Sequence, residues 1–95
     1  MDYSDDVCRF LKEHQLEEYL HYAIHLVQGS FSVARDLQVE FVVDPECDES
    51  WLSIRFVTEG SLDDIIAARK RYRRFWVRNV PVTKRLMIRL MYDIA

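Results

Sequence analysis

Six basic side chains fall within ten residues in the last third of the chain, and they form the densest group that could bind a ligand. They are Arg69, Lys70, Arg71, Arg73, Arg74 and Arg78, and Lys84 and Arg85 follow. Guanidinium groups donate paired hydrogen bonds to phosphates and to carboxylates. The pattern predicts an anion- or partner-binding surface formed by Lys70, Arg71, Arg74, Arg78 and Lys84.

Three interpretations of this basic segment stay open. The cations could pair within the fold with Glu13, Glu17 and Glu18, neutralise nucleic-acid phosphates, or bind an acidic surface of another protein. Tyr72 and Trp76 could in principle stack on bases, but their spacing places them in the apolar stripe of the same helix. The sequence has no helix-turn-helix, RRM or KH pattern. A protein partner is therefore favoured over nucleic acid.

The charge of the chain is divided along its length. Residues 1–68 contain 15 acidic and 4 basic side chains, a net charge of −11, whereas residues 69–95 contain 9 basic side chains and one acidic one, a net charge of +8. The total of −3 conceals this division. Because the acidic part would repel DNA or RNA, the basic segment alone does not predict a nucleic-acid-binding protein.

Three histidines have a spacing that could hold a metal ion. His21 and His25 are four residues apart, and His14 and Glu18 lie on the same side of a nominal helix. Such a pair can place two imidazoles on one metal. This side lies opposite the apolar stripe of its helix, however, and no HExxH motif completes a site. We expect a solvated helix face and no metal.

Other reactive side chains lack the neighbours that catalysis requires. Paired carboxylates occur on a predicted helix surface, in a turn and at a helix start, at Glu17-Glu18, Asp48-Glu49 and Asp63-Asp64. Cys8 and Cys47 have no metal or redox spacing and are expected to be reduced thiols. The sequence has no glycine-flanked serine and no glycine-rich phosphate loop. We therefore expect no enzymatic activity and no cofactor.

The elements that position these residues begin with two predicted helices. Ser4 can cap the first, whose apolar stripe contains Val7 and Phe10. A second stripe lies on the opposite side of the helical projection, so we predict a break at His14–Gln15 and a second helix. The members of this stripe are Leu16, Leu20, Ala23, Ile24 and Val27. Phe31 is expected to fold back onto the core after Gly29-Ser30.

Alternating apolar residues predict a β-hairpin. The segments 37–43 and 51–57 both have the two-residue period of half-buried strands. The polar segment from Asp44 to Ser50 predicts the turn between them. A connection of this length favours antiparallel pairing.

A third helix and a last strand complete the prediction. The helix, over residues 61–79, begins with a capping-box-like pair, Ser61 and Asp64, and ends before Pro81. Apolar residues then occupy every even position from Leu86 to Ile94, which predicts a strand. The order α-α-β-β-α-β indicates an α+β fold, a two-layer α/β sandwich with a three-stranded sheet and helices on one face.

The other face of the sheet is predicted to mix charged and apolar residues. Glu40 could pair with Arg55 or Arg89. The apolar members are a candidate self-association face, and they are Trp51, Val57, Met87 and Met91. Because apolar residues on an open face need cover, we predict a homodimer as one hypothesis.

Short segments in the same order resemble an uncharacterised group of small prokaryotic proteins. They are Leu16-Glu17-Glu18-Tyr19-Leu20, Asp44-Pro45-Glu46 with Glu49, Ser50, Trp51 and Leu52, then Arg74-Phe75-Trp76 and Val80-Pro81. The group often has glycine where this chain has Gln15, which fits a helix break there. The resemblance implies a fold and no activity or site.

These observations predict one domain over residues 1–95. The first residues, Met1 to Asp6, lack the basic start and apolar run of a secretory signal, and no window has the roughly 18 apolar residues of a membrane span. We therefore expect the cytoplasm of a prokaryote. The predicted function is a non-enzymatic protein–protein interaction module, in one form the small, antitoxin-like member of a two-protein pair. The alternative is a nucleic-acid-binding protein that uses the basic outer face of helix 61–79.

Overall fold

The structure confirms the predicted order of helices and strands and adds one short helix. It is a computed structural model that describes residues 3–32 and 34–95. The elements are α1 (Asp5–His14), α2 (Glu17–Ser30), β1 (Arg35–Asp44), β2 (Glu49–Thr58), α3 (Leu62–Asn79), α4 (Val82–Arg85) and β3 (Ile88–Ile94). The chain is therefore a small α+β fold in which α4 is a single turn between α3 and β3.

Side-chain caps fix the start of two helices where the sequence predicts them. The hydroxyl of Ser4 accepts a hydrogen bond from the Val7 amide at 3.4 Å. At the start of α3, the Asp64 amide donates to the Ser61 hydroxyl at 3.2 Å, and the Ser61 amide donates to the Asp64 carboxylate at 3.3 Å. This reciprocal pair is a capping box, so two amides that have no partner inside the helix are satisfied.

The break between α1 and α2 occurs at Gln15, as predicted. Gln15 has the left-handed conformation, with φ 54° and ψ 54°. The Leu16 amide donates to the Leu11 carbonyl at 2.9 Å, and the Gln15 amide donates to the Lys12 carbonyl at 3.4 Å. These two bonds form a Schellman motif, and the burial of Leu11 and Leu16 supplies its usual hydrophobic contact.

The sheet has the order β1-β2-β3, with β1 antiparallel and β3 parallel to β2. Leu52, Ile54 and Phe56 of β2 are at most 3% exposed and belong to the core formed with the helices. Phe31 also belongs to this core, with its ring centroid 5.0 Å from that of Phe56, so its predicted return is confirmed. Arg55, between Ile54 and Phe56, points to the opposite, open face.

The last strand begins two residues later than the alternation predicts. β3 starts at Ile88, and Leu86 lies in a turn with 69% of its surface exposed. Pro81 is instead the N-cap of α4, and its carbonyl accepts from the Lys84 and Arg85 amides at 2.9 and 3.2 Å. The fixed φ of proline suits a helix start. Val82 to Arg85 therefore form a helical turn, and Leu86 and Met87 lie in a turn between it and the strand.

The first strand contains a β-bulge that the sequence does not predict. Arg35 pairs with Val57 and Gln38 pairs with Arg55, so two residues of β1 lie opposite one residue of β2. Asp36, inside the bulge, has φ 54°. Short polar side chains tolerate this left-handed conformation better than most residues do. The bulge bends one edge of the sheet.

Candidate anion-binding surface

The third helix separates buried apolar residues from exposed cations. Its inward stripe contains Ile65, Ala68, Tyr72 and Trp76, all at most 8% exposed. The outward cations are Lys70, Arg71, Arg74 and Arg78, which are exposed and are called the basic face below. Arg69 and Arg73 are also exposed and flank the inward stripe on one side. The helical spacing predicts this division, and the structure confirms it.

No cation of α3 takes part in an ion pair within residues 3–32 and 34–95. The ion pairs found there join Asp6 to Arg9, Glu59 to Arg35, Glu40 to Arg55 and Glu49 to Arg89. The interpretation that the basic helix pairs with Glu13, Glu17 and Glu18 therefore has no ion pair to support it in this part of the chain. The six charges of α3 point into solvent without neutralisation by a neighbouring carboxylate of the described chain.

Lys84 has a different role from the one predicted. Its ammonium donates a hydrogen bond to the His14 carbonyl at 2.6 Å, so it lies against the C-terminus of α1 and is only partly exposed. Carbonyls at a helix C-terminus carry partial negative charge and attract cations. Lys84 is therefore a cap for α1 and not a member of the basic face.

Arg85 and Arg89 are also engaged inside the fold. The Arg85 guanidinium donates to the carbonyls of Val80 at 2.8 Å and Val77 at 2.6 Å, at the end of α3. The Arg89 guanidinium lies 4.0 Å from the ring centroid of Trp51 and donates to the Glu49 carboxylate at 3.2 Å. All three basic residues after Pro81 thus have partners, in contrast to those of α3.

Two of the three aromatic residues of α3, Tyr72 and Trp76, are not available to stack on nucleic-acid bases, whereas Phe75 is 36% exposed. Tyr72 and Trp76 are both 6% exposed, and their ring centroids are 5.8 Å apart. The indole of Trp76 donates to the Arg85 carbonyl at 3.4 Å, and the ring of Tyr22 in α2 stacks on the indole with its centroid 6.3 Å away. Both rings are therefore core residues, as their spacing predicts.

A groove separates α3 from β3. Arg69 and Arg73 line its helix side, Leu90 and Tyr92 line its strand side, and Tyr72 and Trp76 contribute to its surface. It combines an apolar surface with two guanidinium groups that form no ion pair in the part of the chain that the structure describes. Sequence reasoning missed this groove because it requires β3 to be the strand at the edge of the sheet beside α3. The flanking positions of Arg69 and Arg73 are the signal that pointed toward it.

The candidate self-association face is only partly assembled as predicted. Trp51, Val57 and Met91 lie on the open face of the sheet, and Met91 is 55% exposed. Arg89 covers Trp51, and an ion pair of 3.5 Å joins Glu40 to Arg55 beside them. Met87 precedes β3 and packs against the core, so its predicted place on this face is wrong. Its shift follows from the late start of the strand.

The remaining candidate residues form no reactive cluster in the described residues. His21 and His25 are exposed on α2, and no group of three or more potential metal ligands is found in residues 3–32 and 34–95. Cys8 and Cys47 are exposed thiols. The Cys47 thiol donates to the Asp44 carboxylate at 3.2 Å, which raises the pKa of Cys47 and lowers the pKa of Asp44. A raised pKa disfavours the nucleophilic thiolate.

Comparison with known proteins gives no relative from which a function could be transferred. No protein-family model, curated protein or solved structure matches the chain. Within the described residues, none of the helices is long and apolar enough to cross a membrane. The candidate function therefore rests on the geometry of the basic helix itself.

Proposed function

We propose that this protein is a non-enzymatic interaction module that binds an acidic partner protein through α3. The carrying observation is that six exposed cations of one helix form no ion pair within the described residues. Every arginine outside α3 is held by a carboxylate or a carbonyl of the fold. A complementary acidic surface would supply the carboxylates that α3 lacks and would accelerate association by electrostatic steering.

A protein partner suits this surface better than nucleic acid does. Proteins that bind single strands usually combine a basic groove with aromatic rings on which successive bases stack. Here Tyr72 and Trp76 are buried, and Phe75 is the one exposed aromatic residue of α3. The segment before Arg69 also has a net charge of −11, which would repel the phosphates on either side of a short basic helix. The negative charge of a folded partner can be confined to the patch that contacts α3. Such a partner is therefore repelled less by the acidic part of this chain than a nucleic acid, which is charged along its whole length.

The small size of the chain fits one member of a two-protein pair. In this arrangement α3 is the contact, and neutralisation of the partner, in the manner of an antitoxin, is one form that the pair could take. Self-association through Trp51, Val57 and Met91 is a separate hypothesis, because these residues lie on the open face of the sheet and not on α3.

A titration with polyanions of two chemical classes tests the proposal. Poly-glutamate and generic duplex DNA and RNA would be titrated by fluorescence anisotropy at about 50 mM and about 200 mM salt. The test variant is Arg71→Ala/Arg74→Ala/Arg78→Ala. The matched control, Arg9→Ala/Lys12→Ala/Arg35→Ala, removes the same charge from other exposed positions.

We expect poly-glutamate to bind and the α3 variant to weaken it about 10-fold, since three exposed pairs contribute about 0.5 kcal/mol each. The control should change affinity by less than about 2-fold. Tighter binding of DNA or RNA, lost in the same α3 variant, would establish the nucleic-acid alternative instead. Absence of binding to every polyanion at low salt would refute both.

A further inference from the structure

The two edges of the sheet differ in how open they are to another strand. The β1 edge carries the bulge at Asp36, a device that blocks the addition of a strand. The β3 edge has unbroken register with β2, from Leu52 opposite Ile88 to Thr58 opposite Ile94. β3 is therefore a regular edge strand without a bulge.

The hydrogen bonds at the two ends of β3 show which of its backbone groups face β2. The Leu52 amide donates to the Met87 carbonyl at 2.8 Å, and the Ala95 amide donates to the Thr58 carbonyl at 2.9 Å. The odd-numbered residues of the segment thus face β2, and in an extended strand the even-numbered residues face the other way. Leu90 and Tyr92 consequently direct their amides and carbonyls to the outer edge.

The groove between α3 and β3 runs beside these backbone groups and carries two guanidinium groups for which residues 3–32 and 34–95 supply no ion pair. Arg69 and Arg73 are one helical turn apart, which is about 6 Å along the axis. Alternate residues of a β-strand are about 6.6–6.8 Å apart and point to the same face. Two carboxylates at alternate positions of a strand added to β3 would therefore match the spacing of the two guanidinium groups.

We propose that the groove between α3 and β3 binds an extended acidic peptide segment as a fourth strand along β3. The main chain of the segment would pair with Leu90 and Tyr92, and Asp or Glu at alternate positions would pair with Arg69 and Arg73. This mode gives affinity through main-chain hydrogen bonds and selectivity through alternate side chains. It rests on the proposed acidic protein partner and specifies the segment of that partner which is recognised.

A second copy of this chain is a poorer occupant of the groove. Pairing of β3 with β3 would bring Arg69 and Arg73 of two copies toward one another. Pairing with β1 of another copy would present Leu37, Val39 and Phe41 on the helix side, because these residues face the core. Neither arrangement supplies carboxylates to α3, so charge complementarity favours a different, acidic chain.

The probe is a short peptide that alternates Glu and Val. Its controls are a peptide of the same composition with all Glu residues before all Val residues, and the alternating peptide with N-methyl groups on the amides that would face β3. The variant Arg69→Ala/Arg73→Ala is compared with Arg71→Ala/Arg74→Ala/Arg78→Ala and with Arg69→Lys/Arg73→Lys. Circular dichroism checks that each variant keeps the fold.

We expect the alternating peptide to bind most tightly and Arg69→Ala/Arg73→Ala to weaken it about 10-fold, with partial recovery in the lysine variant. N-methylation should abolish the binding, and amide exchange of Leu90 and Tyr92 should slow in the complex. One result would contradict strand addition alone: poly-glutamate binds, the alternating peptide and the peptide with all Glu first bind equally, and the amides of Leu90 and Tyr92 are not protected from exchange. The strand-addition proposal is then wrong while the acidic-partner function stands. If no acidic probe binds, both proposals fail.

Discussion

The basic residues on the two sides of Pro81 have the same charge and opposite uses. The six cations of α3 are exposed and form no ion pair within the described residues, whereas Lys84, Arg85 and Arg89 all contact groups of the fold. In Lys84 and Arg85 the charged group caps the C-terminus of a helix, and in Arg89 it packs on the indole ring of Trp51. The local density of arginine and lysine therefore does not identify a binding surface. What identifies it is whether each cation already has a partner within the fold.

The strongest test of this difference is Arg85→Ala. It removes donors to the carbonyls of Val80 and Val77 at the end of α3, and we expect a loss of about 2–3 kcal/mol in the free energy of unfolding. The matched control on α3 is Arg74→Ala, which should stay within about 0.5 kcal/mol of the parent protein. Urea denaturation followed by circular dichroism measures both. Equal effects of the two changes would contradict the division.

A second test compares two lysines. Lys84→Met removes the ammonium that caps α1 through the His14 carbonyl and keeps most of the side-chain length. We expect a loss of about 1.5 kcal/mol, because a hydrogen bond from a charged group at a helix C-terminus is lost. Lys70→Met, on the basic face, serves as the control and should have little effect on stability. Its effect should appear in poly-glutamate binding instead, where Lys84→Met should change the affinity little. The opposite pattern would return Lys84 to the binding surface.

Hydrophobic periodicity and capping residues predict most of the helices and strands of this fold. The opposed stripes before and after Gln15 predict the helix break, and Ser61 with Asp64 predicts the start of α3. These signals are local, since each depends on residues within a few turns of one another. The predicted start of β3, at Leu86, is wrong by two residues. Alternation of apolar residues alone does not show that Pro81 favours a helical turn after it.

The roles of individual cations were harder to predict, for a physical reason. Lys84 contacts a carbonyl 70 residues earlier in the chain, so its role depends on the tertiary fold that brings Lys84 to the end of α1. The groove likewise depends on the parallel pairing of β3 with β2, which places β3 at an edge of the sheet. The outward direction of the α3 cations follows from helical spacing alone. Their lack of ion pairs does not, because it depends on where the carboxylates of other elements lie.

The smallest expected effect at neutral pH concerns the buried side of the same helix. The Tyr72 hydroxyl is buried and has no hydrogen-bond partner among the described residues. Removing such a hydroxyl relieves an uncompensated desolvation cost, so Tyr72→Phe should raise the free energy of unfolding by up to about 1 kcal/mol. Tyr19→Phe, on a partly exposed ring of α2, is the control at this pH and should have a smaller effect.

Alkaline pH should enlarge the effect of Tyr72→Phe. Burial, with a smaller contribution from Tyr22, raises the pKa of Tyr72 in the folded protein. Above about pH 10, the ordinary pKa of tyrosine, the unfolded chain releases this proton while the folded chain keeps it. The unfolded state then binds fewer protons, so stability falls by about 1.4 kcal/mol per pH unit until the folded-state pKa is passed. Tyr72→Phe should remove this decrease in the free energy of unfolding above about pH 10. Urea denaturation at several pH values measures it. An identical slope in both proteins would show that the hydroxyl is hydrated in the folded state.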